Sequence, residues 1–243
     1  MAPAVVVTGL AAEPDADLFD VVELGDTKAR ILSAAFRRLA SEGYAALSVR
    51  EIAKDAGVNH ALINYHFRSK DQLVIEVLDA ANRRLLARQD EMYRSPGGYA
   101  QKWAQARRFY ESDLASGFVR VQAELWAASF SNLELRERFM PRLLAWKQRV
   151  RDAVGEAVAS LAAKGIVLPS PFSAEIIASW ISEFWLGMEM GDLLGDPHQS
   201  EQSRAALDAV EQLLAWVDER LAAQAGAAAP PPPTRSRRAR SRP

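Results

Sequence analysis

The chain contains no cysteine, which excludes disulfides and thiolate metal sites. It has only three histidines, His60, His66 and His198. It also has no glycine-rich phosphate loop, no HExxH pair and no nucleophile elbow. With those groups missing, we expect no enzyme, no cofactor and no metal. No stretch approaches the ~20 uninterrupted apolar residues that a membrane-spanning helix needs. The start carries Val5-Val6-Val7 without a basic flank and runs into acidic residues (Glu13, Asp15, Asp17, Asp20). No signal peptide is therefore read, and a cytoplasmic location is expected.

What is present is a globular composition. The 243 residues are 49% hydrophobic and 25% charged, enough for one large or two modest domains with a proper core. The net charge of −1 is unevenly spread. Residues 27–71 hold eight basic and four acidic side chains, and the tail from residue 226 adds five arginines and no acid, which leaves the rest of the chain at −10. Positive charge thus gathers at two places where a phosphate backbone could be met.

The densest pattern lies in residues 48–67. Ser48 is placed to cap a first short helix, whose apolar face is Val49, Ile52, Ala53 and Ala56. Gly57 stands where the chain must turn, Asn59 can cap a second helix, and Ile63 and Phe67 fall four apart on its inner face. Small Ala53 marks the crossing point of the two helices. This is the packing logic of a helix-turn-helix, whose second helix enters the DNA major groove, although the same shape also serves as a plain structural corner.

Flanking segments read as helices. Thr27 is a candidate cap for a helix to Glu42, striped by Ile31, Leu32, Ala35, Phe36 and Leu39 and closed by Gly43. Ser69 caps a long helix holding Leu73, Val77, Ala81 and Leu85, and Ser95-Pro96-Gly97-Gly98 ends it near Tyr93. Further helices are expected over residues 99–115, 118–130 and 133–164, the last kinked or split near Pro141. The helix over 173–194 is apolar on more than one face, and 200–223 carries a regular stripe. A short connection makes these two a hairpin that supplies a homodimer interface, unless both faces are covered within one chain. Residues 1–25 read as a disordered acidic extension. Residues 226–243, rich in proline and arginine, read as a disordered arm that adds sequence-independent DNA affinity or merely solubilises the chain.

From Ile31 to Leu73, with Ala53-x-x-x-Gly57-Val58 in the turn and Tyr65-His66-Phe67-x-Ser69-Lys70-x-x-Leu73 after it, the sequence resembles the tetracycline-repressor-like (TetR) family of transcriptional regulators. The resemblance covers roughly a fifth of the chain. It implies an all-α fold: an N-terminal three-helix helix-turn-helix DNA-binding domain (26–72) plus a C-terminal helical-bundle ligand and dimerisation domain (73–225). It implies a homodimeric repressor on a palindromic operator in double-stranded DNA, released by a small-molecule effector. Matched by position, Ser48 and Arg50 meet phosphate, while His60, Ala61 and Asn64 face base edges behind the capping Asn59. Tyr65, His66 and Lys70 lie against the backbone. Asn64 departs from the family's frequent tyrosine, and an asparagine can bond adenine bidentately. Arg68 stands where proline is frequent and adds a positive charge.

The effector site is read from composition. Trp103, Tyr110, Trp126, Phe130, Trp146, Trp180, Phe184 and Met188 belong to an aromatic-rich bundle suited to an apolar pocket, although each could equally be core. Glu124, Glu183 and Glu189 sit on otherwise apolar helices. Any that faces a cavity favours a cationic or donor-rich ligand. The alternative is a DNA-binding protein with no effector, controlled by a partner or acting architecturally.

Overall fold

The computed structural model describes residues 25–195 and 197–227. The acidic extension before residue 25 and the arginine arm beyond residue 227 lie outside the described residues. Nine helices are formed among the described residues: α1 (Asp26–Ala46), α2 (Val49–Asp55), α3 (His60–His66), α4 (Lys70–Arg94), α5 (Tyr99–Ser116), α6 (Phe118–Ser129), α7 (Leu133–Ala163), α8 (Ala174–Leu194) and α9 (Pro197–Ala227).

Local chemistry explains most boundaries. The α1 backbone breaks at Gly43, whose φ of 82° and ψ of 171° suit a residue without Cβ. Asn59 caps α3 by accepting the Ala61 N–H at 2.9 Å, and Ser69 caps α4 by accepting the Gln72 N–H at 3.0 Å. Three expectations are corrected. Thr27 is not the cap of α1, because the helix begins at Asp26 behind Gly25 and Thr27 lies inside its first turn. Ser48 occupies the cap position of α2 but makes no side-chain capping bond. Pro141 does not split α7, which continues through it as one helix despite the missing N–H donor, with Phe139 and Leu143 on either side packed into the core. The final helix starts earlier than expected, at Pro197, which is favoured in a first turn.

The three-helix unit shares one core with the bundle. Phe36, Leu39, Ile52, Ile63 and Phe67 pack with Leu73 and Val77 of α4, and the same cluster continues into Val121 and Leu125 of α6 and Phe139 of α7. Beyond it, α7 packs on α8, α4 on α7 and α5 on α9. Two contacts fix α5 at its ends. The Asp218 carboxylate of α9 accepts the backbone N–H groups of Tyr99 and Ala100, each at 3.0 Å, which caps α5 from a distance. At the other end Gly117 lies so close to α1 that an added Cβ would stand 2.7 Å from the Ala40 Cβ.

The outer faces of α8 and α9 are not covered by the described residues. Trp180 is 60% exposed, and Phe184, Leu194, Leu213 and Trp216 on these two helices are exposed as well. No helix of the described residues is long and apolar enough to cross a membrane.

Candidate nucleic-acid interface and ligand cavity

The helix pair works by division of labour along α3. Ile63 and Phe67, each 1% exposed, hold the helix on the core. The opposite edge, His60, Ala61 and Asn64, faces solvent together with Asn59 and Arg50. The Asn64 amide nitrogen lies 3.4 Å from the His60 Nδ1, as residues four apart on a helix should. Tyr65 is 82% exposed and stands edge-on to the half-buried His66, with ring centroids 5.3 Å apart.

Not all the positive charge counted in this region is available to an anion. Arg38 clamps α1 to α2, with its Nε 2.6 Å from Asp55 and its terminal nitrogens on Glu42 and Glu51. The hydrogen bond from Arg38 lowers the Asp55 pKa. Lys28 pairs with Glu76 at 2.6 Å. The Lys70 ammonium is turned inward, donating to the Tyr44 carbonyl at 2.9 Å and lying over the Tyr44 ring. Lys70 is thus placed at the interface as a clamp, and a phosphate there would meet the α4 N-terminus rather than its ammonium. The exposed cations without an ion pair in this unit are Arg37, Arg50, Lys54 and Arg68. Ser48 is half-buried at the start of α2.

A cavity of about 380 Å³ opens between α4, α5, α7 and α8. Three of the expected pocket residues line it: Trp103, Tyr110 and Trp146. The other five are placed elsewhere. Trp126 packs against the core shared with the helix-turn-helix, Phe130 is exposed, and Trp180 and Phe184 point outward from α8. Met188 is buried beside Tyr110 and Leu207 rather than in the cavity wall. Of the three acids singled out, Glu189 lines the cavity. Glu183 pairs with Lys147 on the outside, and Glu124 binds the end of α1.

Sequence reasoning missed Asp113, Arg88 and Arg142, all of which line the cavity. Asp113 carries an ion pair to Arg88, and Arg142 pairs with Asp79. Burial raises the Asp113 pKa against the lowering effect of Arg88. Burial, followed by the nearby Asp113 carboxylate, pushes Glu189 up to about 8. Burial, helped by Asp90, pushes the Tyr93 phenol up to about 12. The apolar walls with a few converging charged groups have the makeup of a small-molecule site.

An exposed helix edge carried on a helix-turn-helix, joined to a helical bundle with an internal cavity, defines a two-part all-helical fold. Comparison with known proteins agrees. Residues 31–77 match the model of bacterial regulatory proteins, tetR family. A 60-residue stretch is 47% identical to an HTH-type transcriptional repressor of Mycobacterium tuberculosis, covering 25% of this chain and 32% of that protein. The chain thus spans about a third of that relative's length. Among solved structures, a transcriptional regulator from Saccharomonospora viridis in complex with choline superposes with a TM-score of 0.62 at 22% identity, over 76% of this chain and 94% of that one. The regulator FadR from Bacillus subtilis, in complex with stearoyl-CoA, gives 0.61 at 22% identity, over 76% and 96%. Residues 31–77 are thus those of the N-terminal region of the tetR family of bacterial regulatory proteins, and the matching relative is named a transcriptional repressor.

Proposed function

We propose that the protein is a ligand-responsive transcriptional repressor that binds a palindromic operator as a homodimer and leaves it when a small molecule fills the cavity. The observation that carries this reading is the double duty of α4. Its first turn buttresses the helix-turn-helix, and its later turns, through Leu78, Leu85, Arg88 and Met92, form a wall of the cavity. A ligand that shifts this helix therefore acts on both parts at once.

In this reading His60, Ala61 and Asn64 read base edges, while Arg50, Tyr65 and His66 meet the backbone and set register. The exposed apolar faces of α8 and α9 support pairing with a second copy, since a two-fold interface needs the same patch on both subunits. Two neighbours of the same fold were solved with bound small molecules, one with choline and one with stearoyl-CoA. These differ in charge, so the effector's class has to come from this chain's own cavity.

Selection of bound sequences from a random DNA pool tests the reading. A palindromic consensus bound by a dimer supports it, and a small molecule that abolishes that binding completes it. Binding without a two-fold consensus, or binding that no small molecule affects, would favour the architectural alternative.

A further inference from the structure

Two helices turn chemically distinctive faces to the cavity. On α5, Trp103, Tyr110 and Asp113 follow one another at helical spacing. On α8, Ile181, Trp185 and Glu189 lie four apart. The Trp185 ring stands edge-on to Trp103 at 5.8 Å and to Tyr110 at 5.6 Å. Each α5 ring is held by its polar handle. The Trp103 Nε1–H donates to the Leu207 carbonyl at 3.1 Å, and the Tyr110 hydroxyl donates to Asp192.

One acid beside these rings has no partner of its own. Arg88 is taken by Asp113, Arg142 by Asp79, and the Lys102 ammonium donates to the Tyr93 carbonyl at 2.5 Å. Glu156 is exposed at the cavity edge. Glu189 is half-buried in the cavity wall and makes no hydrogen bond or ion pair among the described residues. Ring faces and a carboxyl group without a partner, met at one place in the cavity wall, are the groups that favour a cation.

We propose that the cavity binds an ammonium cation bearing an apolar body, its head held by Glu189 and the rings of Trp103, Tyr110 and Trp185. The body lies along Leu78, Met92, Leu143 and Val150. This deepens the effector reading above and rests on it only for what binding does to DNA. A proton is exchanged as well. In the empty cavity Glu189 is held neutral near pH 7 by burial and by Asp113. The arriving cation favours the carboxylate, so the Glu189 O–H bond breaks and the proton leaves to solvent. The other groups facing the site are Tyr99, Lys102, Tyr110 and Asp113 of α5, Arg88 and Tyr93 of α4, and Arg142 and Glu156 of α7. Asp113 has Arg88 to stabilise its charge, so Glu189 holds the exchanged proton.

The test titrates the full chain with hexyltrimethylammonium, hexylammonium, hexanol and hexanoate, following tryptophan fluorescence and heat. Both cations should bind at least tenfold more tightly than the alcohol and the acid. A preference for hexylammonium marks a protonated amine as the ligand, whereas equal or tighter binding of the other cation marks a quaternary one. Affinity for hexyltrimethylammonium, which has no proton of its own, should rise by up to about tenfold per pH unit below pH 8 and then level. Glu189→Gln should abolish that slope and cost at least tenfold at pH 8, while Glu183→Gln changes neither. Saturation by neither cation, equal binding of hexanol or hexanoate, or an unchanged slope in Glu189→Gln would overturn the proposal. If the cations bind as stated and the operator stays bound, the repressor reading fails and the cation site stands. If only a neutral or anionic compound releases the operator, the cation site fails and the repressor reading stands.

Discussion

The Glu124 carboxylate of α6 accepts the backbone N–H of Tyr44 at 3.0 Å, directly after the break in α1 at Gly43. Tyr44 is tied to two further elements. Its hydroxyl donates to Asp71, which also accepts the Asn132 amide at 3.0 Å, and its carbonyl accepts from Lys70. Burial, followed by the bond to Asp71, pushes its phenol up to about 12. One residue thus knots α1, α4, α6 and the start of α7. Glu124→Ala should destabilise the chain by ~1–3 kcal/mol, the cost of an unpaired, half-buried donor, whereas Glu124→Gln should keep the bond and most of the stability. Urea denaturation of both variants checks this.

Asn64 is the residue from which discrimination is expected. Asn64→Ala should cost ~1–3 kcal/mol at a single base position of each half-site, with other positions unaffected. A panel of single-base operator variants measured at one salt concentration reads this out. A uniform loss across the panel would assign Asn64 to the phosphate backbone instead.

Glu189 makes stability depend on pH in a definite direction. Its folded pKa of about 8 lies above the value of an unfolded chain, so the native state holds the proton more tightly. The associated stability is fully present below the unfolded pKa and is lost as pH rises toward 8, amounting to roughly a few kcal/mol over that window. Without added ligand, wild type should weaken relative to Glu189→Gln between about pH 4.5 and 8. Denaturation curves that run parallel across this range would contradict the assignment.

Trp180 separates assembly from folding. It is 60% exposed on α8, in edge contact with Phe172 and away from the shared core. Trp180→Glu should therefore leave the helical content and melting of the subunit nearly intact while shifting a dimer toward monomer. Sedimentation and operator binding should change together, because each half-site alone is addressed weakly. An unchanged sedimentation coefficient would exclude this face as the interface.

The parts legible in the sequence were those whose causes are local. Gly43, Asn59, Ser69 and the Ser95–Gly98 break act through their own backbone or the next turn, and the helices begin or end beside them. The exposed edge of α3 followed from Ile63 and Phe67 facing inward. Thr27 misled because a capping residue type lay one step inside a helix that starts without a side-chain cap. The cavity was harder to phase. Helix α8 is apolar all round, so nothing in its composition distinguishes Trp185, which lines the cavity, from Trp180 and Phe184 on the outer face. The one usable signal was Glu189, one turn beyond Trp185. Asp113 and Arg88 gave none, because their pairing joins two helices that only tertiary packing brings together.

Helix α5 spans roughly 27 Å at 1.5 Å per residue. Its first turn is pinned by Asp218, and its last residue is followed by Gly117, pressed against Ala40. Such a rod, fixed at one end and bearing on a neighbour at the other, acts as a lever. A tilt of about 3° around Asp218 would carry the Gly117 end by roughly 1.4 Å, a shift that close-packed side chains cannot absorb. In the proposed repressor, α1 would therefore follow the angle of α5, and a ligand that wedged Trp103 or Tyr110 slightly aside would be registered there.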